Sequence, residues 1–139
     1  MTIHIMSASS KTNLSTVENK FKNLTSCANT NAYINRWPEV CRSPKHPAKL
    51  HEEILSKITE AIESDNDVYV LTFNDTVFNA IRIAVARNKV EGTILHAVNP
   101  DGSINMTTMF SDGGLQSWFS GIFDTWDNQV DEILSLRVK

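Results

Sequence analysis

Hydrophobic and polar positions along this chain switch between a period of two and a period of three to four, and the order of the switches predicts alternating strands and helices. Thr2-Ile3-His4-Ile5 reads as a short first strand, followed by the Ser-rich turn Ser7-Ala8-Ser9-Ser10. A helix from about Asn13 to Leu24 then sets Leu14, Val17, Phe21 and Leu24 on one face. Strand, polar loop and helix open a βαβ unit. Past a polar link through Asn31, Ala32-Tyr33-Ile34 reads as a second strand, ended by Trp37-Pro38 and a loop to Pro47. Leu50, Ile54, Ile58, Ala61 and Ile62 mark a second helix, with Glu52, Glu53, Lys57 and Glu60 on its polar face.

The second half is more informative. A buried strand, Val68-Tyr69-Val70-Leu71-Thr72-Phe73, runs straight into Asn74-Asp75 and then into a helix carrying Val77, Phe78, Ile81, Ile83, Ala84 and Val85. Arg82, Arg87 and Lys89 are left for the outer face and the C-terminal end of that helix. Thr93–Val98 and Ile104–Met109 flank Asn99-Pro100-Asp101-Gly102, where proline fixes one dihedral and glycine takes the positive one, so a β-hairpin is expected. Beyond it lie Asp112-Gly113-Gly114, an aromatic cluster of Trp118, Phe119, Phe123 and Trp126, and a last helix with Val130, Ile133 and Leu134. No repeat, low-complexity tract or linker interrupts the pattern. The expectation is an α/β fold: a single three-layer domain over residues 1–139 with a mostly parallel sheet, plus a C-terminal β-hairpin and helix.

Composition narrows this little but usefully. With 139 residues, 41% hydrophobic and 21% charged, the chain suits one compact domain with its own core. A net charge of -3 gives no broad attraction to nucleic acid or an anionic membrane, and only a local patch of Arg36, Arg42, Lys45 and Lys49 points the other way. No apolar run reaches the roughly 18 residues that span a bilayer, and the start of the chain lacks the pattern of a signal peptide. The expectation is a cytoplasmic protein that engages neither membrane nor nucleic acid. Two cysteines, Cys27 and Cys41, are too few for a disulfide scaffold. A zinc site from Cys41, His46 and His51 can be drawn, but it lacks paired-ligand spacing.

Polar turns at the carboxyl ends of buried strands are where α/β proteins place their chemistry. Three segments qualify: the loop Ser7–Asn13, the loop Arg36–Lys45 and the turn Asn74–Asp75, which should converge on one rim of the sheet. Each has a plain structural reading as well. Lys11-Thr12 is a common pair in solvated turns, Asn74-Asp75 caps helices, and aromatics such as Trp118 more often form cores or interfaces than ligand boxes.

The stretch Tyr69-Val70-Leu71-Thr72-Phe73-Asn74-Asp75-Thr76-Val77-Phe78-Asn79-Ala80-Ile81-Arg82 resembles the closing segment of ABC-type ATPases of the RecF and OLD kind, in which a buried strand ends in Thr-His-Ser-Asp and a helix begins with Asn-x-x-Arg. The run from Asp112-Gly113-Gly114 through Trp118-Phe119-Ser120-Gly121-Ile122-Phe123-Asp124 is similar to the Gly…Trp-Pro-x-Gly-Phe-Phe-Asp tail of the same proteins. Trp37-Pro38-Glu39-Val40-Cys41-Arg42-Ser43-Pro44 resembles the end of their Walker B strand, and Ser10-Lys11-Thr12-Asn13-Leu14 the end of their P-loop.

What the resemblance implies is a reduced P-loop ATPase core that has lost its chemistry. The two P-loop glycine positions fall on Ile5 and Ser10, although the backbone must curl around phosphates there. The magnesium-holding acid and the water-polarising glutamate fall on Arg36 and Trp37, and the histidine at the γ-phosphate falls on Phe73. Ser10, Lys11 and Thr12 remain as a weak nucleotide-binding segment, so ATP is the one cofactor in question.

Three readings follow. The first is a pseudo-ATPase without catalytic or metal-binding residues that acts by protein–protein binding. It would dock on a larger ATPase of this kind or on itself through a rim of Arg36, Trp37, Glu39, Phe73, Asn74 and Asp75. Such a copy suits a phage or mobile-element mimic that inhibits a host defence ATPase. The second is a small NTPase that binds ATP through Lys11 and Thr12, with Glu39 or Asp75 as an unorthodox metal ligand. The third is an interaction module whose likeness is ancestry alone.

Overall fold

A computed structural model describes residues 1–40 and 43–137. Among these residues nine elements follow one another: β1 (Ile3–Ala8), α1 (Leu14–Thr25), β2 (Tyr33–Arg36), α2 (Pro47–Glu63), β3 (Val68–Leu71), α3 (Asp75–Asn88), β4 (Thr93–Val98), β5 (Ile104–Met109) and α4 (Thr125–Arg137). The sheet order is β2-β3-β1-β4-β5. The first four strands are parallel and β5 returns antiparallel through the expected hairpin.

Burial follows from the two-residue period of the strands. Ile3 and Ile5 of β1 pack with α2, α3 and the later Ile122 and Phe123, whereas Met6 and Ala8 pack with Val17 and Phe21 of α1. One helix therefore covers one face and two cover the other, which gives the three layers. Leu50, Ile54, Ile58 and Ala61 supply the buried stripe of α2. On α3 the buried set widens to Val77, Phe78, Ala80, Ile81, Ala84 and Val85, because this helix is enclosed by the sheet, α2 and the C-terminal segment.

Local chemistry fixes the helix starts. Asn13 accepts from the Ser15 amide ahead of α1, His46 from the Ala48 amide ahead of α2, and Asn74 from the Thr76 and Val77 amides ahead of α3. Pro47 stands in the first turn of α2, where its missing N–H costs nothing. Three strands differ in their bounds from the sequence pattern. β1 runs from Ile3 to Ala8 rather than from Thr2 to Ile5, taking Ser7 and Ala8 from the expected turn because its ladder with β4 continues to Ala8 opposite Val98. β2 runs from Tyr33 to Arg36 rather than from Ala32 to Ile34, since its ladder with β3 carries on until the Trp37 amide donates to the Leu71 carbonyl. β3 ends at Leu71, two residues early, because Thr72 and Phe73 turn into the cap of α3.

A histidine pair joins β1 to β4. His4 Nδ1 and His96 Nε2 lie 3.0 Å apart, a distance at which one shared proton fits and two do not. The His4 ring also stacks on Tyr69 with centroids 4.8 Å apart. Burial first, and then the neighbouring His4, push the His96 pKa down to about 4. Burial lowers that of His4 too, while Asp67 pulls it the other way.

Since these folded values lie below the ordinary 6.5 of the unfolded chain, the unfolded state takes up protons first as pH falls. Stability is expected to drop by on the order of 2–3 kcal/mol between neutral pH and about pH 4. Urea midpoints at the two ends of that window, for wild type and for His4→Gln/His96→Gln, check this. An equal acid loss in the double variant would remove the histidines from the account.

Candidate functional site

The register sets Leu71 between Arg36 and Met6, with Ala8 opposite Val98, so these parallel strands end on the same side and the segments that follow β1, β2 and β3 leave from one edge of the sheet. That convergence is what the sequence led one to expect. Asn74 caps α3 and Asp75 opens its first turn, and the Asn74 amide donates to Thr72 Oγ1 at 3.0 Å.

The centre of the rim is interlocked. Trp37 takes a left-handed φ of 59°, a conformation a bulky side chain adopts only when its surroundings impose it. Its ring meets Phe73 with centroids 4.8 Å apart, and its indole N–H donates to Glu18 Oε1 of α1 at 3.0 Å. Glu39 Oε2 accepts from the fully buried Thr72 hydroxyl at 2.9 Å. Loops after two neighbouring strands are thereby tied to each other and to α1. Arg36 is exposed beside them, and Phe73 keeps 42% of its surface in water.

Of the three residues Ser10, Lys11 and Thr12, the first two are exposed while Thr12 is buried. The Thr12 hydroxyl donates to the Val98 carbonyl at 3.0 Å, and its amide closes a turn onto the Ser9 carbonyl. Gly121, with a φ of +81°, presses on this turn so closely that a Cβ there would stand 3.0 Å from that of Ser9.

Asp75 lines a cleft of about 720 Å³ together with Phe73, Arg82, Trp118, Trp126 and Asp127. Burial raises its pKa, assisted by the charges of Asp124 and Asp127, although the Trp126 amide that it accepts works in the opposite direction. The carboxylate therefore bridges the N-termini of α3 and α4, where helix dipoles favour negative charge. Across the cleft, Arg82 Nε donates to the Gly113 carbonyl at 2.8 Å and its guanidinium lies 5.3 Å from the Trp118 centroid.

Several residues of the site escape a linear reading. Glu18 sits in the middle of α1 and reaches Trp37 only through the fold. Thr72 did carry a signal, being a hydroxyl inside an otherwise apolar run. The zinc set fares differently: Cys41 lies outside the described residues, as does Arg42 of the basic patch, and His46 Nδ1 already accepts the Ala48 amide. Among the described residues no three His, Cys, Asp or Glu side chains gather to hold a metal ion. Nor is any described helix long and apolar enough to cross a membrane.

The geometry defines an α/β protein with an aromatic rim at the carboxyl ends of its parallel strands. In comparisons with known proteins no family model, no curated protein and no solved structure matches this chain.

Proposed function

We propose that this chain is a non-catalytic, ATPase-like protein that acts by binding another protein through the rim of Arg36, Trp37, Glu39, Phe73, Asn74 and Asp75. The observation that carries the reading is the Trp37–Phe73 contact. These residues stand where the resemblance to RecF- and OLD-type ATPases would put the water-polarising glutamate and the γ-phosphate histidine, and they meet as two partly exposed rings. Exposed aromatic side chains beside an arginine are the composition of protein-binding hot spots. The Thr12 hydroxyl, which would serve a bound metal in a working P-loop, is committed to Val98.

The ATPase-like part of the reading draws support from Arg82. Its contacts with Gly113 and Trp118 join the two stretches that carry the resemblance, the Asn79-x-x-Arg82 helix start and the Gly113-to-Asp124 run. The partner class is a larger ATPase of that kind, or a second copy. A mimic encoded by a phage or mobile element against a host defence ATPase fits such a protein.

Thermal unfolding with millimolar ATP, with and without magnesium, tests the non-catalytic claim. A ligand that binds only the native state adds about 2.7 kcal/mol at a hundredfold excess over its Kd. No shift is expected. A magnesium-dependent rise abolished by Lys11→Ala would replace this reading with that of an NTPase. Binding itself is read by titrating purified RecF- or OLD-type ATPases with wild type, Trp37→Ala and Phe73→Ala. A loss of at least tenfold in affinity is expected for each variant, and unchanged affinity would remove the rim from the account.

A further inference from the structure

The last helix stands apart from the core. None of the thirteen residues of α4 is buried, and Trp126, Ile133, Leu134 and Leu136 are 65%, 56%, 51% and 62% exposed. Its first turn is anchored through the Trp126 amide on Asp75 and the Asn128 amide on the Asp124 carbonyl. A helix of this length is marginal in water by itself, and helices in proteins are held chiefly by burying an apolar face. That face exists here. At 100° per residue Trp126, Val130, Ile133, Leu134 and Arg137 fall on one stripe, with Asp127 at its flank and Glu132 on the opposite side.

Charge decides what covers the stripe. Its acidic member, Asp127, lies in the first turn and its basic member, Arg137, in the last. Two copies of α4 laid antiparallel, with Val130 of each against Leu134 of the other, bring Arg137 of each copy over Asp127 of the other. A parallel pair would oppose Asp127 to Asp127 and Arg137 to Arg137, which is repulsive at both ends. The stripe is thus complementary to itself in one orientation, as a twofold interface requires. It also runs without a break into the cleft, because Trp126 lines both. The acidic end of one copy, Asp75 and Asp127, then receives the basic end of the other.

We propose that α4 pairs antiparallel with α4 of a second copy of this chain, forming a twofold dimer through Trp126, Val130, Ile133 and Leu134 with Asp127–Arg137 ion pairs at both ends. The stripe adjoins the rim where Phe73 and Asp75 line the cleft, but the inference rests on the α4 side chains and stands whether or not the rim binds an ATPase. A four-turn helix is about 20 Å long, so the interface is smaller than the roughly 800 Å² per partner of standard complexes and the dimer is a reversible one.

Sedimentation equilibrium over about a hundredfold range of concentration, from micromolar upward, tests it on the full chain. The wild type is expected to pass from monomer to dimer and no further. Ile133→Asp/Leu134→Asp should remain monomeric at every concentration with an unchanged melting temperature, since both side chains lie outside the core. Asp127→Arg and Arg137→Asp should each weaken the dimer at least tenfold, and the double reversal Asp127→Arg/Arg137→Asp should restore it. A wild type monomeric throughout would overturn the proposal, leaving the stripe to a different protein. Dimers indifferent to Ile133→Asp/Leu134→Asp would overturn it as well. Failure of the double reversal to restore a dimer lost in the single variants would overturn the antiparallel pairing.

Discussion

Replacing Phe78 with alanine is expected to remove about 3–5 kcal/mol of stability, the range found when a buried aromatic side chain is truncated. Phe78 is 1% exposed on the inner face of α3. Its ring stacks on Phe123 with centroids 4.1 Å apart and planes within 5° of parallel. Trp118 meets it edge-on at 5.9 Å, and the Arg82 guanidinium lies 5.7 Å from its centroid. Phe78 is thus the peg on which the segment after β5 hangs, and alanine leaves a cavity together with an unpacked Phe123. A single domain has only about 5–15 kcal/mol in hand, so the variant should unfold at a far lower urea concentration or fail to fold in water. Phe110→Ala is the control, because that ring is 52% exposed and its removal should change stability by no more than about 0.5 kcal/mol. Equal midpoints for the two variants would show that the C-terminal segment is not held by the Phe78 stack.

Gly113→Ala is expected to cost about 3 kcal/mol without removing any atom. Two penalties coincide at this position. A φ of +85° disfavours any residue with a Cβ, and that Cβ would stand 2.9 Å from the Arg82 carbonyl oxygen, a backbone atom that cannot swing aside. Gly92 separates the two effects. Its φ is +79°, but nothing lies within 4 Å of the position a Cβ would take. Gly92→Ala should therefore cost only about 1 kcal/mol. Urea unfolding of both variants gives the difference of about 2 kcal/mol that belongs to the close approach of Gly113 to α3. If the two variants matched, the approach would be looser than the structure has it.

The elements were legible where a single period holds for long enough. Leu50, Ile54, Ile58 and Ala61 announce α2, and Asn99-Pro100-Asp101-Gly102 announces a hairpin whose strands have the expected bounds. The rim could be foreseen as well, because three polar segments each follow a strand and parallel strands end on one side. Contacts between distant residues could not be read in advance. The His4–His96 pair joins opposite ends of the chain's first hundred residues, and no local pattern marks it. The left-handed turn at Trp37 is held by Glu18, Phe73 and the Leu71 carbonyl together, none of which is adjacent in sequence. In α4 the apolar spacing was plain, but that the stripe lies open to water depends on where the whole helix sits.

The sheet order carries a consequence for how the chain is made. Of the five strands of this sheet β1 is synthesised before the others and is the central one, with Ile3 opposite Val68 and His4 opposite Ile94. While a ribosome adds residues one by one from the N-terminus, β1 has neither neighbour until β3 and then β4 emerge. Its apolar side chains and both backbone edges must wait through α1, β2 and α2. Closing such distant pairs early is entropically costly, so the sheet should assemble late and cooperatively rather than strand by strand. A nascent chain halted before β3 would display Ile3, Ile5 and Met6 unpaired, a ready target for chaperones that hold exposed strands.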